Sequence, residues 1–467
     1  MTKLNDKLLP LTIRTGLTGT SAYIVGGSAR DLFLGRQPTD YDITVFENPE
    51  EFARQLAGKT KGRLVTMGKP GKTTYRVVSG AHVVDVTPPR GNTIEADLEC
   101  RDFTMNAMAF DLAFGRLIDP LGGRLDIKKK QIRVASRTAF QDDPIRLLRA
   151  YRMAASFGFS IVPATRTLLT ESSHLITRSA SERVREEIFK ILSATHAHPI
   201  IQQMRESGLL FAVFPELSPL DGCTQNRHHS HDVLDHTLAA LAHLESLLTE
   251  DTPTLPALPE PPDPMRIIWL KFALLLHDIG KPACRSVDAL GDIHFYGHET
   301  AGAKAAQCIC KRLRCANTAQ NFITAIIARH VRPLHLYQAF QKQTLTDKAI
   351  TCFFMTCGDD TPYLLWHVAA DLFGKGAASH STLAPFTAFL CMLLNRFFTE
   401  FKIKSSSPPL LTGKDLIAEF GLPPSALFKH ILARVETARL SGTCTTRNAA
   451  ISLVRDYLSA QSTSNKI

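Results

Sequence analysis

Residues 22–46 read AYIVGGSARDLFLGRQPTDYDITVF: an apolar run stops at a double glycine, a short stretch with helical spacing follows, and a second apolar run carries two aspartates. The pattern predicts strand, glycine turn, helix and strand. VTM near Val65, TTYRVV from Thr73 and HVVDV from His82 are rich in β-branched residues and read as further strands, the last two joined as a hairpin at Ser79-Gly80. From Ile94 the apolar spacing turns helical and stays so almost to the end. The fold class predicted is α+β, with a small mixed sheet in an N-terminal head followed by a long all-α body. Two breaks interrupt the helical rhythm. DTPTLPALPEPPDP, residues 251–264, carries six prolines and reads as a loop or spacer, and SSSPP at 405–409 precedes a final helical stretch.

At 467 residues the chain is too long for one core, and roughly two to four domains are expected. The first residues, MTKLNDKLLPLTIRTG, hold no uninterrupted apolar core, so no signal peptide is expected. The most apolar run, IIWLKFALLL from Ile267, is too short to cross a bilayer and contains Lys271. Ten scattered cysteines without a CxxC pair fit free thiols in a reducing cytoplasm. The net charge is +10, and between Lys128 and Lys190 there are 13 Lys or Arg against 6 Asp or Glu. That concentration is either a solvated helical face or a stripe for phosphates, the footprint of sequence-independent RNA binding.

Alternation along a strand puts Asp40 and Asp42 on one face. Carboxylates that close repel unless a cation lies between them, and hard oxygen ligands suit Mg²⁺. Asp85, flanked by valines in HVVDV, can reach the same place from a neighbouring strand, and three acids can hold two ions around a phosphoryl transfer. Gly26 and Gly27 allow a triphosphate to approach the backbone, the N–H groups of Ser28 and Ala29 open the next helix toward it, and Arg30 adds a fixed charge. Taken alone, two aspartates beside a turn are also compatible with an ordinary surface pair.

GGSARDLFLG…TDYDI resembles the head motif of the class II tRNA nucleotidyltransferase and bacterial poly(A) polymerase superfamily, template-free enzymes that extend RNA 3′ ends. RDFTMNAMAFD from Arg101 resembles the family's ribose-reading segment, which implies that Arg101, Asp102 and Asn106 face the sugar and phosphates. IDPLGGRLDI from Ile118 resembles its connecting segment. DDPIRLLRAYRMAASFGF from Asp142 resembles the base-selecting helix, SERVREEIFKIL from Ser181 the helix that braces it, and LLTGKDLIAEFGL near Leu411 the tail of bacterial members. On a continuous helix Asp143 and Arg146 are i and i+3, with Arg149 and Arg152 continuing the face. An Asp acceptor beside an Arg donor matches the pairing edges of cytosine and adenine and mismatches those of uracil and guanine. The same spacing is also that of a plain intrahelical ion pair. The chain departs from the family pattern at Cys100, where an arginine is usual, and at Asp142, where a glutamate is usual. TPPRGNTIEADLEC, between Asp85 and Arg101, is also shorter than the flexible loop of CCA-adding members, and CC-adding members tend to lack that loop.

A second cluster begins at HHSHDVLDH, residues 228–236, and continues through LLLHDIGKP, GHETAG, ARHVRP and HVAADLFGKG. It resembles the HD phosphohydrolase pattern. The resemblance implies one metal held by His236, His277, Asp278 and Asp371 and support for a second from His298 and His330. The ion is Mg²⁺ or a divalent transition metal such as Mn²⁺, Ni²⁺ or Fe²⁺. Lys281 reads either as a phosphate contact or as charge compensation at a helix end. Together the resemblances imply a nucleotidyltransferase head at 1–135, a helical base-selecting and RNA-binding neck at 136–218, an HD domain at 219–380 and a tRNA-binding helical tail at 381–467. The implied activity is addition of CCA, or part of it, to tRNA from CTP and ATP with Mg²⁺ and no membrane partner. CC-only addition, A-only addition, poly(A) synthesis and a phosphohydrolase acting through the HD residues stay open.

Overall fold

The computed structural model describes residues 21–69, 72–80, 82–225, 232–249, 255–256, 258–375 and 380–464. The extreme N-terminus, Ala81 of the expected hairpin turn, the first histidines of HHSHDVLDH and part of the proline-rich spacer lie outside them. The chain forms two compact units. The first is 1–194 with 199–213, and the second is 195–198 with 214–467.

The first unit is built on a seven-stranded sheet of order β3-β4-β5-β2-β1-β6-β7. The strands are β1 (Ala22–Val25), β2 (Asp40–Val45), β3 (Arg63–Lys69), β4 (Lys72–Ser79), β5 (His82–Thr87), β6 (Ala109–Asp111) and β7 (Leu117–Ile118). β2 and β5 run parallel and every other neighbouring pair is antiparallel, so the sheet is mixed. A parallel pair needs a crossover, and the helix Pro49–Thr60 with β3 and β4 supplies it. The expectation of unbroken helix from Ile94 is corrected here. The helix Ile94–Glu99 is one short piece, after which β6 and β7 return to the sheet beside β1. Ala109, Phe110 and Asp111 are all buried, so the run has no polar alternation that would mark it as a strand.

Two helices follow that matter for the site. Arg146–Phe157 buries Leu147, Leu148, Ala150, Tyr151 and Ala154 and ends at Gly158, whose φ of 65° is the usual left-handed stop. Ser181–Leu192 packs against it. A second correction concerns the entry to the first of these helices. Asp143 is not on its face: it has an extended backbone, φ −151° and ψ 97°, and helical hydrogen bonding starts beyond it. Pro144 is the reason, because the residue before a proline is pushed out of the helical region.

The second unit is helical except for a short antiparallel strand pair, Ser286–Val287 with Ile293–His294, which departs from the all-α body expected. Val233–Leu248, Pro264–Leu276, His298–Arg312, Asn317–Arg329 and Thr361–Phe373 pack on one another. Asp232 and Asp263 cap the first two by accepting from the N–H groups of Asp235 and Met265. The apolar run around Lys271 is an interior helix. The Lys271 ammonium is 2.8 Å from Glu245, whose other bonds come from the N–H groups of Ala197 and His198 at 2.8 and 3.1 Å. Among the described residues no helix is long and apolar enough to cross a membrane. The helices Gly413–Phe420, Ala426–Leu440 and Arg447–Ser464 enclose a core of their own around Leu416, Ile431, Val435 and Val454.

Candidate active sites

Gly26 opens the first site. Its φ is +69°, and a Cβ there would lie 2.8 Å from Arg101 Nη1 and 3.3 Å from Asp42 Oδ2. The missing side chain is what lets that guanidinium and that carboxylate converge over the turn. Ser28 fastens the turn to β2: its hydroxyl donates to the Val25 carbonyl at 2.8 Å and accepts from the Asp42 N–H at 2.9 Å.

The three acids come together as alternation requires. Asp42 stands directly opposite Asp85 on the parallel neighbour, and Asp40 lies two residues away on the same strand. Asp42 is open to solvent on one side and densely surrounded on the others. Burial pushes its carboxyl above the usual range; Arg101 and Arg76 pull it down, while Asp85 and Asp40 push it further up. Charge repulsion of this kind is relieved by a cation, and an all-oxygen donor set fits Mg²⁺.

Arg76 is a residue the sequence reading missed. It lies opposite Asp85 on β4, and its Nε and Nη2 donate to the two Asp85 oxygens at 2.7 Å each. Asp97 is another. Its buried carboxylate accepts from the Arg90 N–H at 2.9 Å and from Arg101 Nη2 at 2.9 Å, fixing the arginine that reaches Gly26. The only local signal for Asp97 was its i, i+4 spacing to Arg101.

Arg30 does not present a free charge. Its guanidinium bonds Asn106 at 2.8 Å and Asp31 at 2.9 Å and covers the Phe157 ring at 4.6 Å. The network continues from Asn106 to Asp102 at 3.0 Å and from Asp102 to Arg149 at 3.5 Å. Arg149 and Arg152 then share the buried Glu187. Asp143 does not pair with Arg146 as helical spacing suggests. Arg183, on the Ser181–Leu192 helix, forks onto its two oxygens at 3.0 and 2.8 Å. Burial raises the Asp143 carboxyl, but Arg183, helped by Arg149 and Arg146, outweighs it and holds it below the usual range. Arg146 is buried and donates to the carbonyls of Cys100, Arg101 and Ala139 at 2.8, 3.2 and 3.3 Å.

The second site lies among the helices of the second unit. His236, His277 and Asp371 offer one set of three donor atoms within 4.8 Å of one another, and Asp278, His298 and His330 offer another. His236 Nε2 is 2.8 Å from Asp371, His277 Nε2 is 3.1 Å from Asp278, and His298 and His330 face each other at 3.2 Å. Gly280 makes the second set possible, since a Cβ on it would lie 2.2 Å from the His298 carbonyl oxygen. Burial works against a proton on His277, yet Asp278 and Asp371 outweigh it and raise the imidazole to about 10. The ring nitrogen facing both carboxylates, His277 Nε2 at 3.1 Å from Asp278 and 3.4 Å from Asp371, marks a place that a divalent ion fits. Burial, with the charges of His277 and His298, lowers His330 to about 3, leaving it neutral as a ligand must be. Lys281 follows the helix rather than ending it, and bonds Asp278 at 2.7 Å and Gln225 at 2.8 Å. His367 was missed. It is fully buried 5.2 Å, ring to ring, from His277, and neither ring nitrogen has a hydrogen-bond partner among the described residues. Its i, i+4 spacing to Asp371 on one helix was the available clue.

Residues 22–133 match the poly A polymerase head domain, 158–220 the probable RNA and SrmB-binding site of polymerase A, and 233–351 the HD domain. The A-adding tRNA nucleotidyltransferase of Deinococcus radiodurans is 30% identical over 93% of this chain and 95% of its own length. The CC-adding tRNA nucleotidyltransferase of Thermus thermophilus is 29% identical over 93% of each chain. Among solved structures, the Thermotoga maritima CCA-adding enzyme complexed with tRNA has the same fold at a TM-score of 0.64 and 22% identity, covering 98% of this chain and 100% of that one.

Proposed function

The chain belongs to the tRNA nucleotidyltransferase family with a poly(A) polymerase-type head, and from that premise we propose that it extends tRNA 3′ ends from CTP, with CC as its product. The observation that carries the choice of CC is the stretch between Asp85 and Arg101. It is no swinging loop: its helix Ile94–Glu99 buries Ile94 and Leu98 against Val25, Ala107 and Ala109, and Asp97 is bonded on both sides. A clamped segment suits a site with one fixed nucleotide preference. A-only addition is the second reading, favoured by the Deinococcus radiodurans relative.

In this reading Asp40 and Asp42, with Asp85, hold Mg²⁺. When bound, the ion eases loss of the proton from the attacking 3′ hydroxyl and steadies the departing pyrophosphate. The N–H groups of Ser28 and Ala29 receive the triphosphate beside Gly26 and Gly27, and Arg101, held by Asp97, meets its charge. Asp102 and Asn106, braced by Arg30 and Arg149, orient the sugar. Asp143 accepts from the exocyclic amino group of the base and is kept ionised and aimed by Arg183. Arg146 retains N–H groups beyond those given to the three carbonyls and donates beside it. Arg152 helps by fixing Glu187. The basic stretch 128–190 binds the tRNA acceptor arm by shape and phosphate.

The His236–Asp371 cluster is proposed as a phosphohydrolase centre holding a divalent transition metal or Mg²⁺, which supplies an attacking water. The four-part division into head, neck, HD domain and tail is part of the same proposal, as is a cytoplasmic setting, which the ten free thiols suit.

The experiment uses Mg²⁺ and three tRNA transcripts ending before CCA, after C and after CC, with CTP and ATP separately and together. Sequencing of the 3′ ends should show extension to CC and no A on the CC-ended transcript. A alone on the CC end supports the second reading, full CCA refutes fixed preference, and no incorporation refutes the transferase reading.

A further inference from the structure

Asp42, Asp85 and Arg76 form one row across β2, β5 and β4, each directly opposite the next. Directly opposed residues share a face of the sheet, so the row sets two acids and then a base beside Asp40. The Arg76 fork takes one lone pair on each Asp85 oxygen at 2.7 Å and offsets the negative charge that would draw a divalent ion. Both partners are only part exposed, with side-chain accessibilities of 40% and 20%, so the pair is stronger than a freely solvated one. The third acid of the site is therefore already neutralised by a residue of the chain.

We propose that Arg76 is a resident cation of the transferase site, closing Asp85 to metal in the nucleotide-free protein and releasing it when an incoming nucleoside triphosphate offers the guanidinium another anion. The inference rests on the transferase reading. It makes Arg76 a positioning residue that orders the site: Asp40 and Asp42 take an ion first, and Asp85 becomes a ligand only with nucleotide present. A guanidinium moves between carboxylate and phosphate without changing protonation, since it stays charged throughout.

The test is Mn²⁺ uptake by the full-length protein, read from the free-ion signal in electron paramagnetic resonance, for wild type, Arg76→Gln and Arg76→Lys. Each is measured with and without the non-hydrolysable analogue α,β-methylene-CTP. Ions held by the second unit are common to all three and cancel in the comparison. Without nucleotide, Arg76→Gln should bind one further Mn²⁺ per chain, or bind at the head roughly tenfold more tightly than wild type. Arg76→Lys, which keeps the charge and loses the fork, should lie between. With the analogue, wild type should reach the uptake of Arg76→Gln. Equal uptake by all three without nucleotide overturns the proposal, as does a lowered melting temperature with unchanged uptake, which is the signature of a mere cross-strand brace. Should Arg76→Gln not fold, Arg76→Lys against wild type decides it in the same terms. If wild type neither takes up Mn²⁺ with the analogue nor extends any transcript, the transferase reading has failed and the inference falls with it.

Discussion

Asp97 ties the Arg90 backbone to the Arg101 side chain, so one carboxylate governs whether Arg101 reaches the space above Gly26. Asp97→Asn keeps the size and loses the charge-assisted grip. Nucleotide incorporation is expected to fall about tenfold to a hundredfold in kcat/KM while melting shifts little, which steady-state kinetics beside a thermal melt would establish. At this scale the sequence was partly legible. The Asp40–Asp42 pair followed from strand alternation alone, and the Gly26 turn from an apolar run ending in glycine. Arg76 and Arg183 were not legible because their meaning comes from cross-strand register and helix packing, and residues 9 and 40 positions apart carry no local mark of the contact. Asp97 and His367 did carry one, an i, i+4 partner, but that spacing is too common on helices to single them out.

Helices and strands were legible where their patterns are clean and were misread where a buried run hides its period. β6 was lost in this way. The spacing of Asp143, Arg146, Arg149 and Arg152 points to a helix that includes Asp143, but Pro144 keeps the residue before it out of the helical region and the helix begins at Arg146. The tail shows an element held by electrostatics at its start. Asp415, three residues into the helix Gly413–Phe420, accepts from the Thr412 N–H and hydroxyl at 2.6 Å each and from Arg447 at 2.7 Å. Arg447 and Thr412 together hold the Asp415 carboxyl well below the usual range. A carboxyl depressed in the folded state stabilises above its unfolded pKa and loses that contribution as pH falls through the folded value. Thermal melts of wild type and Asp415→Asn should therefore differ near neutrality and converge in acid, starting below about pH 4. A difference that persists at low pH would assign the effect to packing.

Across the whole molecule, the +10 charge and its concentration between Lys128 and Lys190 make binding to tRNA an ionic-strength question. If about four phosphates are neutralised, affinity should drop roughly a hundredfold between 50 and 200 mM salt. Filter binding across that range gives the slope, and a flat response would remove the basic stretch from the interface. The order of the segments, sheet head then helical body, was visible in the switch of periodicity from strand to helix. The path of the chain between the two compact units was not, because Thr195–His198 gives no compositional sign that it belongs with residues far downstream.

That path has a consequence for synthesis. The four residues 195–198 leave the ribosome well before Glu245, the acid that their N–H groups satisfy, and the segment 199–213 that completes the first unit emerges in between. Because 195–198 belong with residues beyond 213, no single cut yields both units intact. A fragment beginning at Phe214 loses two donors to the buried Glu245 carboxylate, at about 1–3 kcal/mol for each acceptor site left unmet. A fragment beginning at Thr195 keeps them and should be the longer-lived under proteolysis.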